Sequence, residues 1–174
     1  KKRETFYLGR TTLAKLDIKG KKIDLYLSLD PSEFNDKAQY YNYIDISQKN
    51  TLLPMLIKVS GPIKLRRALE LIDILMTKVG ALVSTNYAEQ DYHMPYETTD
   101  ALVRKGLIID LWNKTSMEEP VEELKEEVAV TKENGLEIKA RYIRTYMARL
   151  IQAEDNVKDI YNVVKNKLLS YKKV

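Results

Sequence analysis

Hydrophobic and polar positions alternate most regularly early in the chain. Ala14, Leu16 and Ile18 alternate with Lys15 and Asp17, and Ile23, Leu25, Leu27 and Leu29 alternate with Asp24, Tyr26 and Ser28. Period two is the mark of a strand with one buried face. Gly20 lies between the two runs, where a positive φ closes a tight turn, so an antiparallel hairpin is predicted. Asp30-Pro31-Ser32 ends the second strand, and a polar connection runs on to about Gln39. Tyr41, Tyr43, Ile44 and Ile46 predict a third strand, and Leu53 to Val59 a fourth with Pro54 at its edge.

The period then changes. Pro62 fits the first turn of a helix, Leu65, Ala68, Leu69, Ile72, Leu75, Met76 and Val79 form one helical face, and Gly80 is placed to stop it. From Ala81 to Pro95 the pattern weakens to loop. Thr98 or Thr99 caps a short helix that Gly106 closes, and Leu107 to Ile109, with Leu111 and Trp112, suggests a short strand or buried edge. Glu118 to Glu127 holds six glutamates around two apolar residues, so residues 115–135, ending at Asn134-Gly135, read as a charged linker.

The last stretch, Ala140 to Tyr171, carries Ile143, Met147, Leu150, Glu154, Val157, Tyr161, Val164, Leu168 and Tyr171 at alternating spacings of four and three. Such a stripe requires a partner surface. Glu154-Asp155-Asn156 interrupts it with residues that cap helices better than they continue them, predicting a shorter helix over 141–152 and a main one over 155–171. The expected fold class is α+β: a four-stranded, mainly antiparallel sheet covered by two helices, with a helical or irregular linker region. The expected division is 1–80 for the sheet and its helix, 81–139 for the linker region and 140–174 for the amphipathic helix.

Composition narrows the chemistry. With 29 Lys and Arg against 25 Asp and Glu, the net charge of +4 permits an acidic partner without demanding one. The absence of cysteine excludes disulfides, zinc-thiolate sites and thiol nucleophiles, and fits a reducing, cytoplasmic setting. No apolar run reaches the roughly 20 residues that span a bilayer. The opening Lys1-Lys2-Arg3-Glu4 has neither an initiator Met nor an apolar signal region, and reads as part of something longer.

Several phrases resemble an uncharacterised family of bacterial repeat modules of unknown function: Ala148 to Gln152 (ARLIQ), Lys165 to Val174 (KNKLLSYKKV), Gly9 to Ile18 (GRTTLAKLDI), Gly20 to Pro31 (GKKIDLYLSLDP) and Leu65 to Met76 (LRRALELIDILM). The resemblance implies a module ordered helix, hairpin, two strands, helix, similar to the small α-β-β-β-β-α domains of the TfoX amino-terminal and YdhG-like superfamily. It covers residues 4–79 and 141–174 in rotated order, which implies a tandem-array fragment or a circular permutation. A permutant would fold its last helix onto its own sheet as a monomer, and a fragment would exchange that helix between copies. The resemblance implies no activity.

Candidate sites are few. His93, the only histidine, stands near Asp91, Glu89 and Glu97, but a transition-metal site needs three or four ligands with nitrogen or sulfur among them. Asp17 and Asp24 could serve as an acid–base pair across the hairpin, yet alternation places both on the expected solvent face. Arg66-Arg67 at a helix start reads as solvated surface. The six glycines are scattered, so no phosphate loop or dinucleotide fingerprint exists. No catalytic, cofactor or metal residue is assigned.

The sequence therefore leads to a non-enzymatic protein-interaction or scaffold module whose partner is another protein or another copy, with Ile143, Met147, Leu150, Tyr161 and Val164 as contacts. The alternative is a basic, tyrosine-rich nucleic-acid-binding domain using Tyr7, Arg10, Lys15, Lys21, Lys22 and Tyr26.

Overall fold

The computed structural model describes residues 3–110, 127–133 and 136–173. The chain divides into two compact units, one of residues 1–94 and 153–174 and one of residues 95–152, so the second is inserted into the sequence of the first.

The first unit is built on an antiparallel sheet of strands β1 (Glu4–Leu8), β2 (Thr11–Lys19), β3 (Lys22–Leu27), β4 (Ile44–Asp45) and β5 (Met55–Val59), in the order β1-β2-β3-β5-β4. Gly20, at φ +58°, makes the β2–β3 turn that sets Leu16 opposite Leu25 and Ile18 opposite Ile23. Leu25 in turn faces Ile57, and Ile23 faces Val59, which gives the sheet one apolar face. Helices α2 (Pro62–Lys78) and α5 (Asp155–Leu169) touch each other and both pack on β3, covering that face. Ala68, Leu71, Ile72, Leu75 and Met76 of α2 and Val157, Ile160, Tyr161, Val164 and Leu168 of α5 are buried there. Strands β6 (Ala81–Val83) and β10 (Tyr171–Lys173) form a separate antiparallel pair beyond the helix ends.

The second unit contains α3 (Thr99–Arg104), β7 (Ile108–Asp110), β8 (Glu127–Glu133), β9 (Leu136–Arg144) and α4 (Tyr146–Ile151), its sheet ordered β7-β9-β8. Thr98 caps α3 by accepting from the Ala101 N–H, and Gly106, at φ +68°, follows its end. Among the described residues no helix is long and apolar enough to cross a membrane.

The α+β class, the hairpin and the helix over 62–78 follow the sequence pattern, with corrections elsewhere. The sheet has a fifth strand, β1. The third expected strand shrinks to Ile44–Asp45, because Tyr41 ends a short helix, α1 (Ala38–Tyr41), which Asn42 stops at φ +53°. Tyr41 packs edge-on against Phe34, and the polar connection before it is a 3-10 helix, Pro31–Lys37, capped by Asp30. Residues 127–133 and 136–144 pair as strands, so the expected linker is partly sheet and Ile143 lies in β9 opposite Ile109, outside any helix. The break before α5 falls where Glu154 to Asn156 placed it, with Thr145 capping the shorter helix α4, while Tyr171 belongs to β10. Residues 118–126 of the acidic stretch, with Leu111 and Trp112, lie outside the described residues.

Candidate site along helix α5

Helix α5 carries asparagines at 162 and 166, one turn apart. An irregular strap over residues 84–93 runs antiparallel to the helix and is held by them. At its start the Ser84 N–H donates to the Ser170 carbonyl at 2.7 Å. The buried Asn166 then binds the strap three times: Oδ1 accepts from Tyr87 Oη at 2.6 Å and from the Gln90 N–H at 3.0 Å, and Nδ2 donates to the Gln90 carbonyl at 2.8 Å. Asn166 Nδ2 also donates to the Asn162 carbonyl at 3.1 Å and to Asn162 Oδ1 at 3.2 Å. One turn toward the helix start, Asn162 Oδ1 accepts from the Tyr92 N–H at 3.0 Å. His93 Nε2 ends the contact, 3.7 Å from Asp155 Oδ1.

Lys165 joins the strap to the sheet. Its ammonium lies 4.1 Å over the Tyr92 ring and donates to Tyr161 Oη at 2.9 Å, with Glu4 Oε1 of β1 also at 2.9 Å. Tyr161 Oη donates to Glu4 Oε2 at 2.7 Å. Burial pushes the Tyr161 phenol up to about 12, and the Glu4 carboxylate adds to that while Lys165 opposes it. Burial alone would lower the Lys165 ammonium, but hydrogen bonds to Tyr161 and Glu4 outweigh it and leave its pKa raised. Tyr87 is also pushed up to about 12, first by burial and then by its neighbour Tyr92.

Between the strap, α2 and β6 lies a groove of about 500 Å³. Its apolar lining comes from Leu69, Val83 and Val163, and Asn162 and Asn166 also face it. Val83 and Val163 are 60% and 41% exposed. Lys167 stands at the same groove, bound to Asp73 at 2.7 Å and set 5.6 Å over the Tyr171 ring, with Tyr171 Oη donating to Asp73. Chemically the site combines apolar lining with two asparagine amides that the strap engages. Compared with known proteins, the chain matches no family model, no curated protein and no solved structure.

Of the residues singled out in the sequence, Tyr161 and His93 take part in these contacts. Leu150, Tyr161 and Val164 are buried, and Met147 is 37% exposed. Of the basic set, Tyr7 and Arg10 are exposed at the β1 end, and Lys21 pairs with Glu154 at 2.9 Å. Tyr26 is buried beneath the Arg3 guanidinium at 5.0 Å. Lys15 is opposite Tyr26, and Lys22 is at the hairpin end opposite Lys19. Lys15, Lys22 and Tyr26 share one face of the β2–β3 hairpin with Asp17 and Asp24. Arg66 is exposed, 3.9 Å from Glu70, and Arg67 stacks 4.7 Å over Tyr40.

The expectation that Asp17 and Asp24 face solvent is corrected: they sit directly opposite each other, 3% and 2% exposed. Arg3 folds back over this face to donate to Asp17 at 3.2 Å, and Lys19 reaches Asp24 at 2.8 Å and Asp17 at 3.8 Å. A minor apolar cluster of Tyr26, Leu53 and Leu56, with Ile46 against it, covers part of the same face. Asp24 Oδ1 has no hydrogen-bond partner, and the bond that Lys19 donates to Asp24 raises the Lys19 pKa. Among the described residues no group of three His, Cys, Asp or Glu could hold a metal ion. The asparagine pair had no sequence signal beyond its i, i+4 spacing, which on an amphipathic helix reads as solvated face.

Proposed function

We propose that this chain is a non-enzymatic protein-interaction module whose docking surface is the groove on α5. The observation that carries the reading is the exposure of Val83 and Val163 in a groove of about 500 Å³ that Asn162 and Asn166 also line. Exposed apolar side chains gathered in a concave site favour a partner that brings apolar groups of its own. The partner is a segment of another protein or of another copy of this chain.

The charge distribution supports the same reading. Lys21, Lys78, Lys105, Lys165 and Lys167 are each paired with a carboxylate, at Glu154, Glu33, Glu97, Glu4 and Asp73. A cation already paired is less available to release counterions from a phosphate backbone. The buried carboxylates Asp17 and Asp24 are engaged by Arg3 and Lys19, and the single histidine faces Asp155 at the surface. In this reading the chain is a rotated α-β-β-β-β-α module, with α5 laid on its own sheet and a second unit inserted before it.

Panning a displayed library of random peptides against the protein tests the proposal. Enriched peptides should lose binding when Val83→Asp and Val163→Asp are combined in a variant that keeps its melting temperature. Failure to enrich any peptide, or enrichment indifferent to both substitutions, would overturn it.

A further inference from the structure

The strap shows what helix α5 is built to hold. Four residues of helix advance about 6.0 Å, and two residues of an extended chain cover about 6.6 Å. Asparagines at i and i+4 therefore meet peptide groups at j and j+2 on one side of an extended segment. Gln90 and Tyr92 stand in that relation to Asn166 and Asn162. The contact is to main chain: Gln90 gives both its N–H and its carbonyl to Asn166, and Tyr92 gives its N–H to Asn162. The side chains of Glu89, Gln90 and Asp91 are exposed, and the clasp leaves their identity unread. Side-chain recognition comes from Tyr87 through its hydroxyl on Asn166, from Tyr92 through its ring beneath the Lys165 ammonium, and from His93 beside Asp155.

We infer that Asn162 and Asn166 form a backbone-reading peptide site, and that residues 84–93 are its occupant in cis. The ligand class is an extended peptide with an aromatic residue placed to lie under Lys165. The inference rests on the proposed role as a protein-interaction module, and names the chemistry of its partner. The same two asparagines line the open groove. Release of the strap joins seat and groove into one channel along α5. A tethered occupant acts at an effective concentration of about millimolar, so the strap sets a threshold that an outside peptide must exceed.

The test uses the full chain and a labelled synthetic peptide of residues 84–94, STNYAEQDYHM. In the chain, Gln90→Pro removes a clasped N–H and Tyr92→Ala removes the ring under Lys165, opening the strap. The opened variant should bind the peptide saturably and at least about tenfold more tightly than the unaltered chain, where the tethered strap competes. A peptide carrying proline in place of Gln90 should fail to bind, and one with alanine at both Glu89 and Asp91 should bind equally well.

A folded, opened variant that ignores the peptide, or that binds the proline peptide just as tightly, overturns the inference. If the opened variant does not fold, the peptide is added in excess to the unaltered chain and amide exchange is followed at Gln90 and Tyr92. Loss of their protection supports displacement, and unchanged protection overturns it. If library peptides still need Val83 and Val163 while the strap peptide does not bind, the asparagine site fails and the interaction groove stands.

Discussion

Tyr161 shows how one buried side chain ties the two ends of the first unit together. Its hydroxyl lies between Glu4 of β1 and Lys165 of its own helix, in a buried position where the phenolate would face a carboxylate. Below pH 10 the phenol is neutral in both the folded and the unfolded chain, and the network contributes in full. Between about pH 10 and pH 12 the unfolded chain releases the proton while the folded one keeps it, so stability falls as pH rises. The raised Lys165 pKa acts in the same direction. Tyr161→Phe should cost about 1–2 kcal/mol at neutral pH through the lost hydrogen bonds, and its stability should decline less steeply across the alkaline window. Urea unfolding at neutral pH and within that window measures both, and an unchanged alkaline slope would remove Tyr161 from this role.

At the level of elements, strands β2 and β3 were legible because strict alternation and Gly20 point to the same hairpin, and α2 because its apolar face has a period close to 3.6. The hairpin of β8 and β9 was missed. Val128 and Val130 before Asn134-Gly135, and Leu136 and Ile138 after it, are the alternation and turn signal of a hairpin. The glutamates upstream outweighed that signal, and the four-three stripe drew Ile143 into a helix it does not join. The polar face of the sheet was misread for a different reason. Alternation assigns side chains to a face, but cannot tell that Arg3 and Lys19 fold over Asp17 and Asp24 and bury them. Lys19→Met should therefore destabilise the chain by about 2–3 kcal/mol, since it leaves a buried carboxylate without its counter-ion. Adding Asp24→Asn should recover most of the loss, and a double-mutant cycle by denaturant unfolding that finds no such coupling would contradict this account of the pair.

For the whole molecule, the second unit interrupts the first at a place the first has fastened. The strap runs along α5 to His93 and Asp155, 3.7 Å apart, so the residues flanking the insertion are neighbours. Little of this was visible in sequence, since the strap falls in the stretch where periodicity fades and its seat consists of two polar residues on a helix otherwise read for its apolar face. The central claim is that the groove on α5 recognises protein rather than nucleic acid. The most direct measurement is a pair of titrations at low and high salt, one with a labelled single-stranded nucleic acid and one with a library-selected peptide. Peptide affinity that is little changed by salt, with no nucleic-acid binding at either concentration, is the result predicted. Tight nucleic-acid binding at low salt that collapses at high salt, with no peptide binding, would contradict it.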